Sequence, residues 1–205
     1  GFCLVGSEMC IRDRFNMAAS FHIEEEGWSH QHKMKDVKGP SGVLNRNEQR
    51  KLIADKVPEK RRKNFLNPKP IEIRDVDPPD LFNPEPTSDK NFLWFKVDGT
   101  LDTKEQWVHH CFLAYASDVS LLGSGNRPHG VSAYSGDVML ASLDHAMWFH
   151  EKINFNDWYL YEMDSPFSGA ARSLNRGKVF SQDGTLVASV AQEGLMRPLK
   201  RRPNT

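Results

Sequence analysis

Two different periods of apolar and polar residues run along this chain, and the switch between them marks its elements. Residues 106–122 repeat at the helical period. At about 100° per residue, Trp107, Val108, Cys111, Phe112, Ala114, Tyr115, Val119, Leu121 and Leu122 fan across one half of a helix. His109, His110, Ser117 and Ser120 take the other half, and Asp118 projects from inside the apolar fan. Asp102, with Glu105 three residues on, gives a start resembling a capping box. After a Gly/Asn/Pro loop at residues 123–130 the pattern reads as strand. Strands are predicted over residues 137–150, 158–163, 171–180 and 186–196, with Asp183-Gly184 as a hairpin turn between the last two. Upstream, residues 71–76 and 91–97 read as strands on either side of a proline-rich loop.

A helix apolar around most of its circumference must be wrapped by the sheet that follows it. Two strands, one long helix and four more strands therefore predict an α+β protein with a hot-dog fold, an antiparallel β-sheet curled around a central α-helix. Residues 70–199 are assigned to this domain. Residues 37–69 are polar and charged and read as a linker with a short surface helix over 47–57. The Lys-Arg-Arg-Lys run at 60–63 reads as a solvated face, because no aromatic residues are interleaved with it. Residues 15–36 begin with a strand-like run over 15–23. Its Ala-Ser step echoes Ala188-Ser189 in the last strand, as the tail end of an earlier repeat would. Residues 200–205 form a basic tail.

Composition narrows the picture. Of 205 residues, 39% are apolar, and the 27 Lys and Arg balance the 27 Asp and Glu. No net field points to nucleic acid or a membrane surface, and no run approaches the ~18 apolar residues of a membrane span. Residues 3–14 have no usable period, carry two of the three cysteines, and look like a translated sequencing adapter. Residues 1–14 are therefore set aside as non-native. That leaves Cys111 as the native cysteine, so no disulfide framework is expected and the reducing cytoplasm is the expected location.

The chemistry lies where apolar faces are interrupted. Asp118 is the first interruption. In the strand predicted over 137–150, Val138, Leu140, Ser142, Asp144, Ala146 and Trp148 share a face, and Ser142 interrupts its apolar start. In the last strand, Gln192 is the polar member of a face shared with Leu186, Ala188, Val190, Gly194 and Met196. If the sheet wraps the helix through these faces, Asp118, Ser142 and Gln192 converge. A carboxylate, a hydroxyl and an amide can hold one water with its lone pair aimed at an electrophile, the carboxylate acting as general base. They can equally be a satisfied buried network. Periodicity alone leaves both readings open.

At these residues the segments LAYASDVSLL, NRPHGVSAYSGDVMLASLDHAMWFH and DGTLVASVAQEGLMR resemble the acyl-CoA thioesterase II family of double hot-dog proteins. The similarity runs from about residue 15 to 197 and is weakest in the linker. It implies two fused hot-dog repeats, an acyl-CoA substrate split into a fatty acid and CoA, and no metal or redox cofactor. It also implies a catalytic trio of Asp118, Ser142 and Gln192 that activates a water. The first repeat would precede residue 15. A lone repeat bares the surface its partner covers, so this piece is expected to be unstable or inactive unless it forms a homo-oligomer through its hot-dog faces. The alternatives are a non-catalytic acyl-CoA-binding module and an enoyl-CoA hydratase; the latter would carry a His shortly after Asp118, and none follows. Asp144 and His145 are not assigned to the site, because neighbours on a strand point to opposite faces. His145 reads as a core or interface residue, and His30, His32, His109 and His110 as surface residues.

Overall fold

The structure, a computed structural model, describes residues 16–199; the expected adapter at 1–14 and the basic tail at 200–205 lie outside the described residues. Residues 16–30 belong to a unit of their own. They are exposed and carry no helix or strand, so the described part of the strand expected over 15–23 does not form. An unpaired strand leaves its backbone groups to water and gains no ladder.

From residue 31 the chain builds one antiparallel sheet. Its strands are β1 (Ile71–Asp75), β2 (Asn91–Val97), β3 (Val138–Ser142), β4 (Ala146–Phe149), β5 (Tyr159–Gly169), β6 (Arg172–Ser181) and β7 (Leu186–Pro198). The order is β1-β2-β5-β6-β7-β3, with β4 also on β7. The β6–β7 hairpin turns at Asp183-Gly184, as predicted. Gly184 has φ 90°, which a side chain would strain, and Asp183 Oδ1 accepts the Thr185 N–H at 3.1 Å. The sheet curls around α3 (Gln106–Asp118). Between them lies the core: Leu93, Phe95, Tyr161, Val179 and Ala188 from the sheet meet Leu113 of the helix and Leu121 just past its end, all with no more than 1% exposure.

Two expectations fail in instructive ways. The predicted strand over 137–150 is two strands. Ser142 pairs with Gly194 and Ala146 with Ala191, so three residues, 143–145, oppose two, 192–193. One extra residue is a β-bulge. It is pinned by Leu143 N–H on Glu193 O at 2.9 Å and by Asp144 Oδ1 accepting the Glu193 N–H at 2.7 Å. The bulge reverses the side-chain parity downstream, so His145, Met147 and Phe149 turn toward the helix, and Ala146 and Trp148 do not.

The helix is also shorter than predicted, and it is rotated. It begins after Glu105, which makes no side-chain cap bond, and ends at Asp118, so the expected capping box is not made. Val119 is extended and Ser120 has φ 78°, which stops the helix four residues early. The buried face is His109, Leu113, Ala116 and Ser117, whereas Trp107 and Tyr115 are 65% and 43% exposed. Polar residues can take the inner face because each is satisfied there. His109 Nδ1 accepts the Phe155 N–H at 3.1 Å and its Nε2 reaches Thr103 O at 3.0 Å. Ser117 donates to Ala114 O at 2.8 Å. His109 is thus a core residue and not a surface one.

The charged stretch before the domain is ordered into α1 (Arg46–Leu52) and α2 (Glu59–Phe65). Asn45 caps α1 by accepting the Asn47 N–H at 2.7 Å, and the Arg46 guanidinium grips the buried Asp75 of β1 with two hydrogen bonds. Trp94 Nε1–H reaches Lys38 O at 2.8 Å. The Lys-Arg-Arg-Lys run sits on α2.

Candidate active site

Asp118 is the last residue of α3 and is exposed, not buried in mid-helix as the sequence suggested. A helix C-terminus favours cations over carboxylates, so the position is no stabilising choice for an acid. What holds the side chain is the sheet. Gln192 Nε2 donates to Asp118 Oδ1 at 2.6 Å, and Ser142 Oγ donates to the same oxygen at 3.3 Å. The three residues named from the sequence therefore meet, with Ser142 exposed and Gln192 1% exposed.

Each is placed by its surroundings. Gln192 lies on β7 opposite Asn175 of β6, and Ser142 ends β3 opposite Gly194. Gly194 has no room for a methyl group, which would sit 2.2 Å from Leu122 Cδ2. The chain can therefore cross β7 closely just after Asp118. It then forms the single turn α4 (Gly123–Asn126). Asn175, fully buried, accepts the Gly125 N–H at 3.0 Å. A Cβ on Gly125 would lie 2.8 Å from Ser173, so only glycine permits this approach. Nothing in the pattern of the sequence flagged Asn175; a buried amide bonding a loop backbone leaves no periodic trace.

Gln192 Oε1 is buried and has no hydrogen-bond partner within the protein. Turning the amide over would set its oxygen against the carboxylate, so the Nε2–H contact fixes the assignment. A buried acceptor left without a partner costs about 1–3 kcal/mol.

Two further titratable groups border the trio. Tyr161 donates to Ser117 O at 2.9 Å; burial, and then the Asp118 charge, push its hydroxyl well above the usual tyrosine range. His145, turned inward by the bulge, sets Nε2 2.8 Å from Ser117 Oγ. The Ser117 hydrogen already serves Ala114, so the imidazole is the donor. Burial holds the His145 pKa below the ordinary histidine value, against the opposing pull of Asp118 and Asp144. The alternating pattern put His145 on the face opposite Ser142, as a core or interface residue, because a one-residue bulge leaves no mark on that pattern. His110, buried on one side, stacks on Phe149 at 4.4 Å. Among the described residues no group of three or more His, Cys, Asp or Glu is placed to hold a metal ion. None of the described helices is long and apolar enough to cross a membrane.

An antiparallel sheet curled about one helix defines a hot-dog protein. Solved structures agree. The acyl-CoA thioesterase II TesB2 of Mycobacterium marinum superposes with a TM-score of 0.65 at 34% identity, over 86% of this chain and 60% of that one. A protein of Alicyclobacillus acidocaldarius described as having a hot dog fold superposes with a TM-score of 0.55, over 88% of this chain and 61% of that one; at 20% identity it bears on the fold alone. Residues 65–195 match the family described as acyl-CoA thioesterase, and the chain belongs to that family. Acyl-CoA thioesterase 2 of Haemophilus influenzae is 33% identical over 184 residues, 89% of this chain and 63% of that protein. Acyl-coenzyme A thioesterase 8 of Mus musculus is 40% identical over 128 residues, 62% of this chain and 39% of that protein. The chain thus spans less than two thirds of the length of these relatives.

Proposed function

We propose that this chain carries the water-activating centre of an acyl-CoA hydrolase. Asp118 takes a proton from a water as the water oxygen attacks the thioester carbonyl. The Gln192 Nε2–H and the Ser142 hydroxyl hold the carboxylate in place for that transfer. The tetrahedral intermediate collapses, the C–S bond breaks, and CoA leaves as a thiolate that takes up a proton; the fatty acid departs as carboxylate. The observation that carries the reading is Gln192. Its Nε2–H and the Ser142 hydroxyl both converge on one oxygen of Asp118, an exposed carboxylate that a water can reach.

The exposed side of α3 supports a second part of the reading. Trp107 and Tyr115 lie on the stripe that leads to Asp118. A second hot-dog unit, supplied by another copy of this chain, covers that stripe and completes the site in the cytoplasm. Thiol release from butyryl- through palmitoyl-CoA, followed alongside the mass in solution, tests both parts. Turnover by a dimer is the expected result. Hydration of crotonyl-CoA without thiol release would replace the hydrolase with a hydratase, and full activity in a monomer would remove the need for a partner copy.

A further inference from the structure

A cavity of about 460 Å³ lies between the charged segment and the sheet. Its walls come from three places that the sequence separates widely. Helix α1 supplies Ile53 just past its end, the proline-rich loop supplies Pro79 and Leu81, and the stretch after α3 supplies Ser120 and Tyr134. Leu140 of β3 lines it as well. Two of these residues are near the trio along the chain: Ser120 is two residues past Asp118, and Leu140 precedes Ser142 on the same face of β3. A second cavity shares the Ile53, Pro79 and Leu81 wall.

The cations around the cavity are committed. Arg46 is paired with Asp75 and Arg127 with Asp77. Arg50 spends its guanidinium on Phe65, donating to its carbonyl at 3.3 Å and lying 5.2 Å over its ring. Each of these three cations therefore has a partner; carboxylates such as Asp80 and Glu85 also line the cavity, but most of its accessible wall is apolar. A space of this size, with a mostly apolar wall that includes residues two positions from Asp118 and from Ser142, has the character of a ligand pocket.

We propose that this cavity receives the acyl chain of the thioester, so that α1 and the proline-rich loop set the chain length. The occupant is a linear medium or long chain, entering between Ser120 and Leu140 with its carbonyl left at Asp118. The inference rests on the hydrolase reading, and a binding assay separates the two. Each methylene drawn into the cavity raises kcat/KM about fourfold until the space is filled.

The test uses the full chain and two variants, Ile53→Trp and Leu81→Trp, at side chains that are only partly buried. Rates are measured with butyryl-CoA and palmitoyl-CoA, and binding of the fluorescent fatty acid cis-parinarate is titrated directly. The expected result is at least a tenfold fall in the palmitoyl-to-butyryl ratio, with parinarate affinity weakened to a similar degree. An unchanged ratio in both variants overturns the proposal. So does an equal rise in KM at every chain length, which would give the cavity to the coenzyme arm. If no acyl-CoA is hydrolysed at all, the hydrolase reading fails. Parinarate then decides the cavity alone: weaker binding in the variants upholds it, and unaltered binding overturns it.

Discussion

Replacing Gln192 with methionine separates a working centre from a structural network. The side chain is 1% exposed and similar in size to methionine, so the packing is kept. Two terms change on the stability side. The Nε2–H bond to Asp118 at 2.6 Å is lost; bonds to charged groups contribute about 1.5–3 kcal/mol, but Asp118 is exposed and water replaces the donor. The open Oε1 acceptor disappears too, relieving a cost of about 1–3 kcal/mol. The terms offset, so the variant should unfold within about 1 kcal/mol of the parent, roughly 2–4 °C in Tm for a domain of this size. On the activity side, a buried group that orients the reacting centre is removed. Loss of one such preorganised contact lowers kcat about 10²–10³-fold. Calorimetry and thiol release from palmitoyl-CoA, on one preparation of Gln192→Met, measure both. A Tm drop above 10 °C with kcat intact would mean that Gln192 only holds the sheet to the helix, and the reasoning would be refuted.

Three other outcomes follow from the packing and the charges. Gly177→Ala places a Cβ 2.2 Å from the buried Tyr161 ring, and overpacking there should cost about 1–3 kcal/mol by urea denaturation. Leu113→Ala empties the centre of the α3 contact, where Leu113 is 1% exposed, and should cost about 2–5 kcal/mol on the same assay. His145 has a folded pKa below its ordinary 6.5, so the unfolded chain binds its proton first; stability is held above 6.5 and lost as pH falls through the interval below it. The Tm of His145→Gln should therefore fall less between pH 7.5 and 5.5 than that of the parent, and equal slopes would show that the ring is not desolvated.

Much of this fold was legible in the chain, and the misses share a cause. Residues 91–97 and the Asp183-Gly184 turn are fixed by local pattern and turn chemistry, and they stand where predicted. The helix face was read the wrong way round because hydrophobicity ranked Trp107 and Tyr115 as interior and Ser117 and His109 as exterior. Their hydrogen bonds to Ala114, Thr103 and Phe155 are tertiary facts that no period encodes. The bulge at 143–145 depends on one carboxylate, Asp144, bonding across to β7, and a one-residue insertion looks like unbroken alternation. The trio survived these errors. Ser142 lies before the bulge and Gln192 points toward the helix end, so both kept the predicted face. Asp118 was reached for a different reason, as the end of a shortened helix and not as a charge within it.

The measurement that bears most directly on water activation by Asp118 is single-turnover thiol release from palmitoyl-CoA by Asp118→Asn. The amide keeps the shape and can still pair with Ser142, but it cannot take a proton. Release should fall by about 10²–10⁴-fold with Tm and bound acyl-CoA little altered. A variant that releases thiol at the parent rate would contradict the account.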